Sequence, residues 1–129
     1  MFNKQNAYFD TDATKSYEWR VDQLDRLIRM LQDNYDRFRD ASCKDFKTAS
    51  QENAFEVSAT IASTEFTKSQ VKDWMKPVEA RLPKFLAASG HKGVVCRQPY
   101  GATLIICPFN GPLLLSLRPA VTAALESTG

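Results

Sequence analysis

The corner Pro108-Phe109-Asn110-Gly111-Pro112 constrains this chain more than any other stretch, because of what stands on its two sides. Ahead of it, Ala102 to Cys107 (ATLIIC) is a short apolar run rich in Leu and Ile that reads as a buried strand. Behind it, Leu113 to Leu125 reads as a mostly apolar helix. Pro108 stops the strand, and Pro112 suits the first helical turn, where a missing N–H costs nothing and φ is already helical. Asn110 and Gly111 supply the turn and the expected N-cap. Strand, corner and helix make half of a βαβ unit. Ligands of such units gather at the carboxyl end of the strand, where Asn110 would lie.

Upstream, residues 1–15 are polar with scattered rings at Phe2, Tyr8 and Phe9, and read as a loosely ordered arm whose aromatics dock on this chain or a neighbour. Ser16 to about Cys43 carries the strongest periodicity. Val21, Leu24, Ile28, Leu31, Tyr35 and Phe38 recur at steps of three or four, and Leu27 widens the stripe. Ser16 is the expected N-cap, Glu18 favours the first turn, and Asn34 with Asp36 marks a bend or a break into two helices. After a short link over residues 45–50, Gln51 to about Met75 predicts a second helix. Val57, Ile61, Val71 and Met75 keep helical spacing, with Phe55, Phe66 and Trp74 as further core. Ser and Thr between Ser58 and Ser69 lower its propensity, so packing must hold it. Pro77 to Lys92 reads as a connector, Gly93 to Gln98 as a strand, and Pro99-Tyr100-Gly101 as a turn into the apolar run.

The 129 residues are enough for one domain, and 43% hydrophobic with 25% charged residues is ordinary globular composition. A net charge of +2, with basic residues dispersed among acidic ones, argues against nucleic acid or an anionic membrane as partner. No apolar run reaches spanning length and the amino terminus lacks a signal-peptide core, so the cytoplasm is the expected compartment. Cys43, Cys96 and Cys107 form no CxxC pair and His91 is the single histidine, so no metal site is expected and free thiols are the default. No GxGxxG or P-loop occurs.

The stretch CPFNGPLLLSLRPAV resembles the aldehyde dehydrogenase superfamily pattern G/S-P-W-N-x-P-L-x-L-x-x-x-P. Its anchors are Pro108, Asn110, Pro112, Leu115 and Pro119, with Phe109 in the aromatic slot. Trp19-Arg20, Gln23-Leu24 and Leu31 are similar to the R-x-x-Q-L-x-x-L of that family's amino-terminal helices, and Asp45 with Lys47 loosely echoes its Asp-x-x-Lys segment. Glu52 and Glu56 resemble the acidic residues opening its second helix, and Trp74 with Pro77 its W-x-x-P ending. Pro99-Tyr100-Gly101 resembles its P-L-G turn, with Gln98 for a usual Glu. The nearest branch is the class 3 or coniferyl aldehyde dehydrogenase-like one.

The resemblance implies an α/β architecture: amino-terminal helices, then the first strand-turn-helix of a Rossmann-like cofactor domain, incomplete as given. It divides the chain into an arm at 1–15, a helical segment with connector at 16–92, and the start of the cofactor domain at 93–129. It implies NAD or NADP as cofactor, a small-molecule aldehyde as substrate, and a homo-oligomer at full length. Asn110 would be the catalytic oxyanion-hole donor, its amide holding the oxygen of the thiohemiacetal made when a Cys attacks the aldehyde. The backbone of Ile106, Cys107, Pro108 and Phe109 would line the nicotinamide side.

None of the three cysteines matches the nucleophile's context. The family's K-P lysine and general-base Glu also find no match, so this chain alone is expected to be inactive. Two departures stand out: Gly111 replaces the Tyr often found after Asn, and the ending Leu125-Glu126-Ser127-Thr128-Gly129 replaces A-A-G-N, leaving Gly129 as a candidate C-cap. The alternative is a non-catalytic helical interaction or oligomerisation module, or a dead fragment, supported by the long amphipathic helix and the aromatics of the arm.

Overall fold

The computed structural model describes residues 2–46 and 50–125. Among them the order is α1 (Phe2–Phe9), α2 (Tyr17–Asp33), α3 (Tyr35–Phe46), α4 (Ser50–Trp74), β1 (Val78–Ala80), α5 (Lys84–Ala88), β2 (Gly93–Val95) and α6 (Pro112–Leu125).

α2 starts at its expected cap. Ser16 lies in the extended region and its hydroxyl accepts from the Trp19 N–H at 3.1 Å, satisfying one of the helix's orphan donors. Leu24, Ile28 and Leu31 are buried along the apolar stripe, while Val21, Leu27, Tyr35 and Phe38 are half-buried. The break falls at Asn34. Its N–H and its side-chain amide both donate to the Met30 carbonyl, and its own carbonyl accepts from the Phe38 N–H. One residue thus closes α2 and opens α3.

α4 is the central element, packed against α2, α3 and α6. Its inward line is Asn53, Val57, Thr60, Thr64, Thr67 and Val71, all buried, at alternating steps of four and three. The three threonine hydroxyls donate to the carbonyls of Glu56, Thr60 and Ser63, each four residues back, at 2.7, 2.7 and 2.8 Å. Each hydroxyl therefore finds its acceptor on its own helix and can be buried without an unsatisfied polar group. Phe55 and Phe66, expected in the core, are instead 65% and 63% exposed. Each lies two residues, about 200° of helical rotation, from a buried position. Leu24, Val71 and Val121 join α2, α4 and α6 in one cluster, flanked by Tyr17, Leu27 and Met75. Asp25 and Lys68 add an ion pair between α2 and α4 at 2.5 Å.

Three expectations are corrected. The arm is helical, as α1, and it docks on its own chain, with Phe9 against Gly101. The strand expected over Gly93 to Gln98 is only Gly93–Val95. It pairs antiparallel with Val78–Ala80, inside the supposed connector, in the register Val78↔Val95, Glu79↔Val94 and Ala80↔Gly93. Ala102 to Cys107 forms no strand among the described residues, and Leu104 and Ile106 are 84% and 87% exposed. Strand structure is pairing, and no described strand stands beside this run. The described residues are therefore mostly helical with one two-stranded sheet, and of the expected strand-turn-helix they show the turn and the helix. Lys47 and the expected Gly129 cap lie outside the described residues.

Candidate active site

The corner enters α6 as Pro112 predicts, and of the expected pair Asn110 and Gly111 it is Gly111 that takes the cap position, with no side-chain cap from Asn110. Gly111 is the residue whose carbonyl accepts the first helical bond, from the Leu115 N–H at 3.0 Å. Leu113 and Leu114 then carry orphan N–H groups, and both point at one oxygen of Glu56 on α4, at 3.1 and 3.4 Å. A carboxylate from another helix thus does the work expected of Asn110, and it also meets the positive end of the helix dipole. Gly111 is buried, and a Cβ there would lie 3.0 Å from Leu115 Cδ1 and 3.6 Å from Glu56 Oε1. The tight neighbour of a side chain there would be Leu115, while Glu56 stands at ordinary contact distance.

Freed of capping, Asn110 is exposed and its side-chain amide makes no hydrogen bond among the described residues. It lies on the wall of a hollow of about 320 Å³ between α3, α4 and the corner, shared with Phe38, Asp45, Asn53, Glu56 and Phe109. Ile106, Cys107, Pro108 and Phe109 lead into Asn110 as an exposed ledge. The structure therefore brings Asn110 and this ledge together at one surface. The cysteines are scattered: Cys96 and Cys107 are exposed, while Cys43 is half-buried and accepts from the Asn53 amide at 3.1 Å. His91 is exposed, with Nδ1 2.9 Å from Ser89 Oγ. Among the described residues no three His, Cys, Asp or Glu side chains converge as metal ligands.

The sequence model of the aldehyde dehydrogenase family matches residues 2–126. The chain belongs to that family. A 4,4'-diaponeurosporen-aldehyde dehydrogenase of Staphylococcus aureus is 29% identical over 123 residues, covering 95% of this chain and 26% of that protein. Human aldehyde dehydrogenase family 3 member B1 is 34% identical over 116 residues, covering 89% of this chain and 24% of its own length. Family 3 member H1 of Arabidopsis thaliana is likewise 34% identical, over 119 residues. A substrate-bound Staphylococcus aureus AldH superposes with a TM-score of 0.90 at 28% identity, over 98% of this chain and 27% of that one. The chain spans about a quarter of the length of the curated relatives it matches.

Among aldehyde dehydrogenase features, the corner motif and the helical pattern were legible in the sequence, and the resemblance picked out Glu56 without giving it a role. Its partners stand 57 and 58 residues away, so no local pattern announces the contact.

Proposed function

We propose that this chain is the amino-terminal part of an NAD(P)-dependent aldehyde dehydrogenase that oxidises a small-molecule aldehyde to its carboxylic acid. In this reading Asn110 donates to the oxyanion, and residues 93 onward begin the cofactor domain. The observation that carries it is the state of Asn110: a side-chain amide on the wall of a hollow, exposed, with no acceptor and no capping duty among the described residues.

When a thiolate attacks an aldehyde carbonyl, negative charge moves onto the oxygen. An amide N–H held at the wall of the hollow would stabilise that charge. The ledge Ile106 to Phe109, exposed and apolar beside Asn110, fits the nicotinamide end of a dinucleotide. When bound, that group would supply the hydride acceptor. The described residues hold no glycine-rich loop for its phosphates, so this chain would contribute one wall of the cofactor site. The nucleophile and base, like the neighbours of Ala102 to Cys107 in a Rossmann-like sheet and the contacts of a homo-oligomer, would come from beyond this segment.

The test is Asn110→Asp in the full-length enzyme that carries this segment. Asp keeps the size but removes the donor and adds a negative charge beside the developing one. The expected result is a kcat loss of about a hundredfold or more, with Tm nearly unchanged because Asn110 caps nothing. Wild-type kcat in that variant would reject the oxyanion role and leave Asn110 as part of the corner's architecture.

A further inference from the structure

We propose that Glu56 is the positioning residue that holds the Asn110 amide in register, an inference that rests on the oxyanion reading of Asn110. The difficulty it resolves is geometric. An oxyanion donor must be fixed before the reaction, yet Asn110 is exposed and its side chain is anchored to no described residue. Its placement must therefore come from the backbone of the corner.

That backbone is stiff within itself. Pro108 and Pro112 fix φ on either side of Asn110, and the Gly111 carbonyl is tied to the Leu115 N–H. A stiff corner still pivots unless something tethers it to the rest of the fold. Glu56 is such a tether. It rises from α4, the helix that packs against α2, α3 and α6, and one of its carboxylate oxygens takes the N–H groups of Leu113 and Leu114 together. Charge-assisted bonds of this kind are stronger than neutral ones, and two from one side chain fix direction as well as distance. Leu113 lies three residues from Asn110, so a tilt of the start of α6 carries Asn110 with it. Glu56 and Asn110 also line the same hollow, which places the brace beside the group it braces.

Glu56 touches no reacting atom in this scheme and acts only through Asn110. Glu56→Gln keeps the length and one acceptor oxygen but loses the charge. Glu56→Ala removes the brace.

The first measurement is amide hydrogen exchange on this chain. Leu113 and Leu114 have no intrahelical acceptor, so their protection depends on Glu56. Exchange at these two amides should speed up about tenfold or more in E56A, from the loss of charge-assisted bonds, and less in E56Q, while the Leu31 amide of α2 stays as in wild type. The second is kinetics of the full-length enzyme, per titrated active site. E56A should lose about tenfold or more in kcat with KM within about twofold, and E56Q should recover most of it.

Unchanged exchange at Leu113 and Leu114 in folded E56A would overturn the brace, and wild-type kcat in E56A would overturn its catalytic consequence. If E56A also exposes Leu31, E56Q decides: faster exchange confined to Leu113 and Leu114 supports the brace, and uniform or absent change rejects it. Wild-type kcat in Asn110→Asp would instead reject the oxyanion reading, whatever the exchange shows, so the two failures are distinguishable.

Discussion

Phe9 lies flat against Gly101: a Cβ added at Gly101 would come within 3.3 Å of the ring's Cδ1 and 3.4 Å of Cε1. Gly101 also holds φ at +96°, in the region that disfavours L side chains. The contact ties α1 to the turn that feeds the corner, and Lys15 covers the same ring, its ammonium 5.1 Å from the centroid. Gly101→Ala meets both obstacles at once. It should cost about 1–2 kcal/mol from backbone strain alone and loosen α1. Chemical denaturation with Phe2→Ala as a surface control checks this; a Gly101→Ala midpoint equal to wild type would mean that the turn relaxes freely.

The threonine line of α4 makes an unusual forecast. Thr64 is fully buried, and its hydroxyl donates to the Thr60 carbonyl of its own helix. Thr64→Val keeps the shape and removes a hydroxyl together with the need to satisfy it, so stability should stay within about 1 kcal/mol of wild type or rise. Thr64→Leu overfills the site and should cost about 1–3 kcal/mol. Urea unfolding of the pair separates the two; a large loss in Thr64→Val would show that the hydroxyl has a tertiary role.

Leu104 and Ile106 present an apolar run to solvent, beside no partner strand among the described residues. Such a run invites self-association, which charged side chains suppress. The 129-residue chain should form concentration-dependent oligomers, and Leu104→Lys with Ile106→Lys should shift them toward monomer. Light scattering coupled to size exclusion tests this. A wild-type chain that stays monomeric across a wide concentration range counts against it.

The 129-residue chain by itself should not turn over aldehyde. Cys43 is half-buried and engaged by Asn53, while Cys96 and Cys107 are exposed and are not among the residues that line the hollow. An oxyanion donor without a placed nucleophile and base leaves little catalysis. Aldehyde-dependent NAD reduction by the purified chain, lost in Asn110→Ala, would refute this.

Legibility followed the range of each signal. α2 could be read because its stripe, its Ser16 cap and its Asn34 break are all set within a few residues. α6 could be read because Pro112 acts locally. The buried side of α4 was harder, since threonines occupy half of it and aromatics stand outside, inverting the usual polarity pattern. Ala102 to Cys107 has strand composition, but pairing depends on neighbours that no composition supplies. Of the local pair Asn110 and Gly111 expected to cap α6, Gly111 accepts the first helical bond, whereas the side-chain acceptor comes from 57 residues away, beyond the reach of any local pattern.

The long span of the Glu56 contact also orders events in a growing polypeptide. α4 emerges with α2 and α3 already made, whereas α6 follows dozens of residues later, after β1, α5 and β2. Until then the side of α4 that will receive α6 faces water. A carboxylate at that spot keeps the vacant face hydrated and discourages chance apolar occupants. When α6 arrives, its two orphan N–H groups replace that water, so the residue that holds the finished corner first serves as its placeholder.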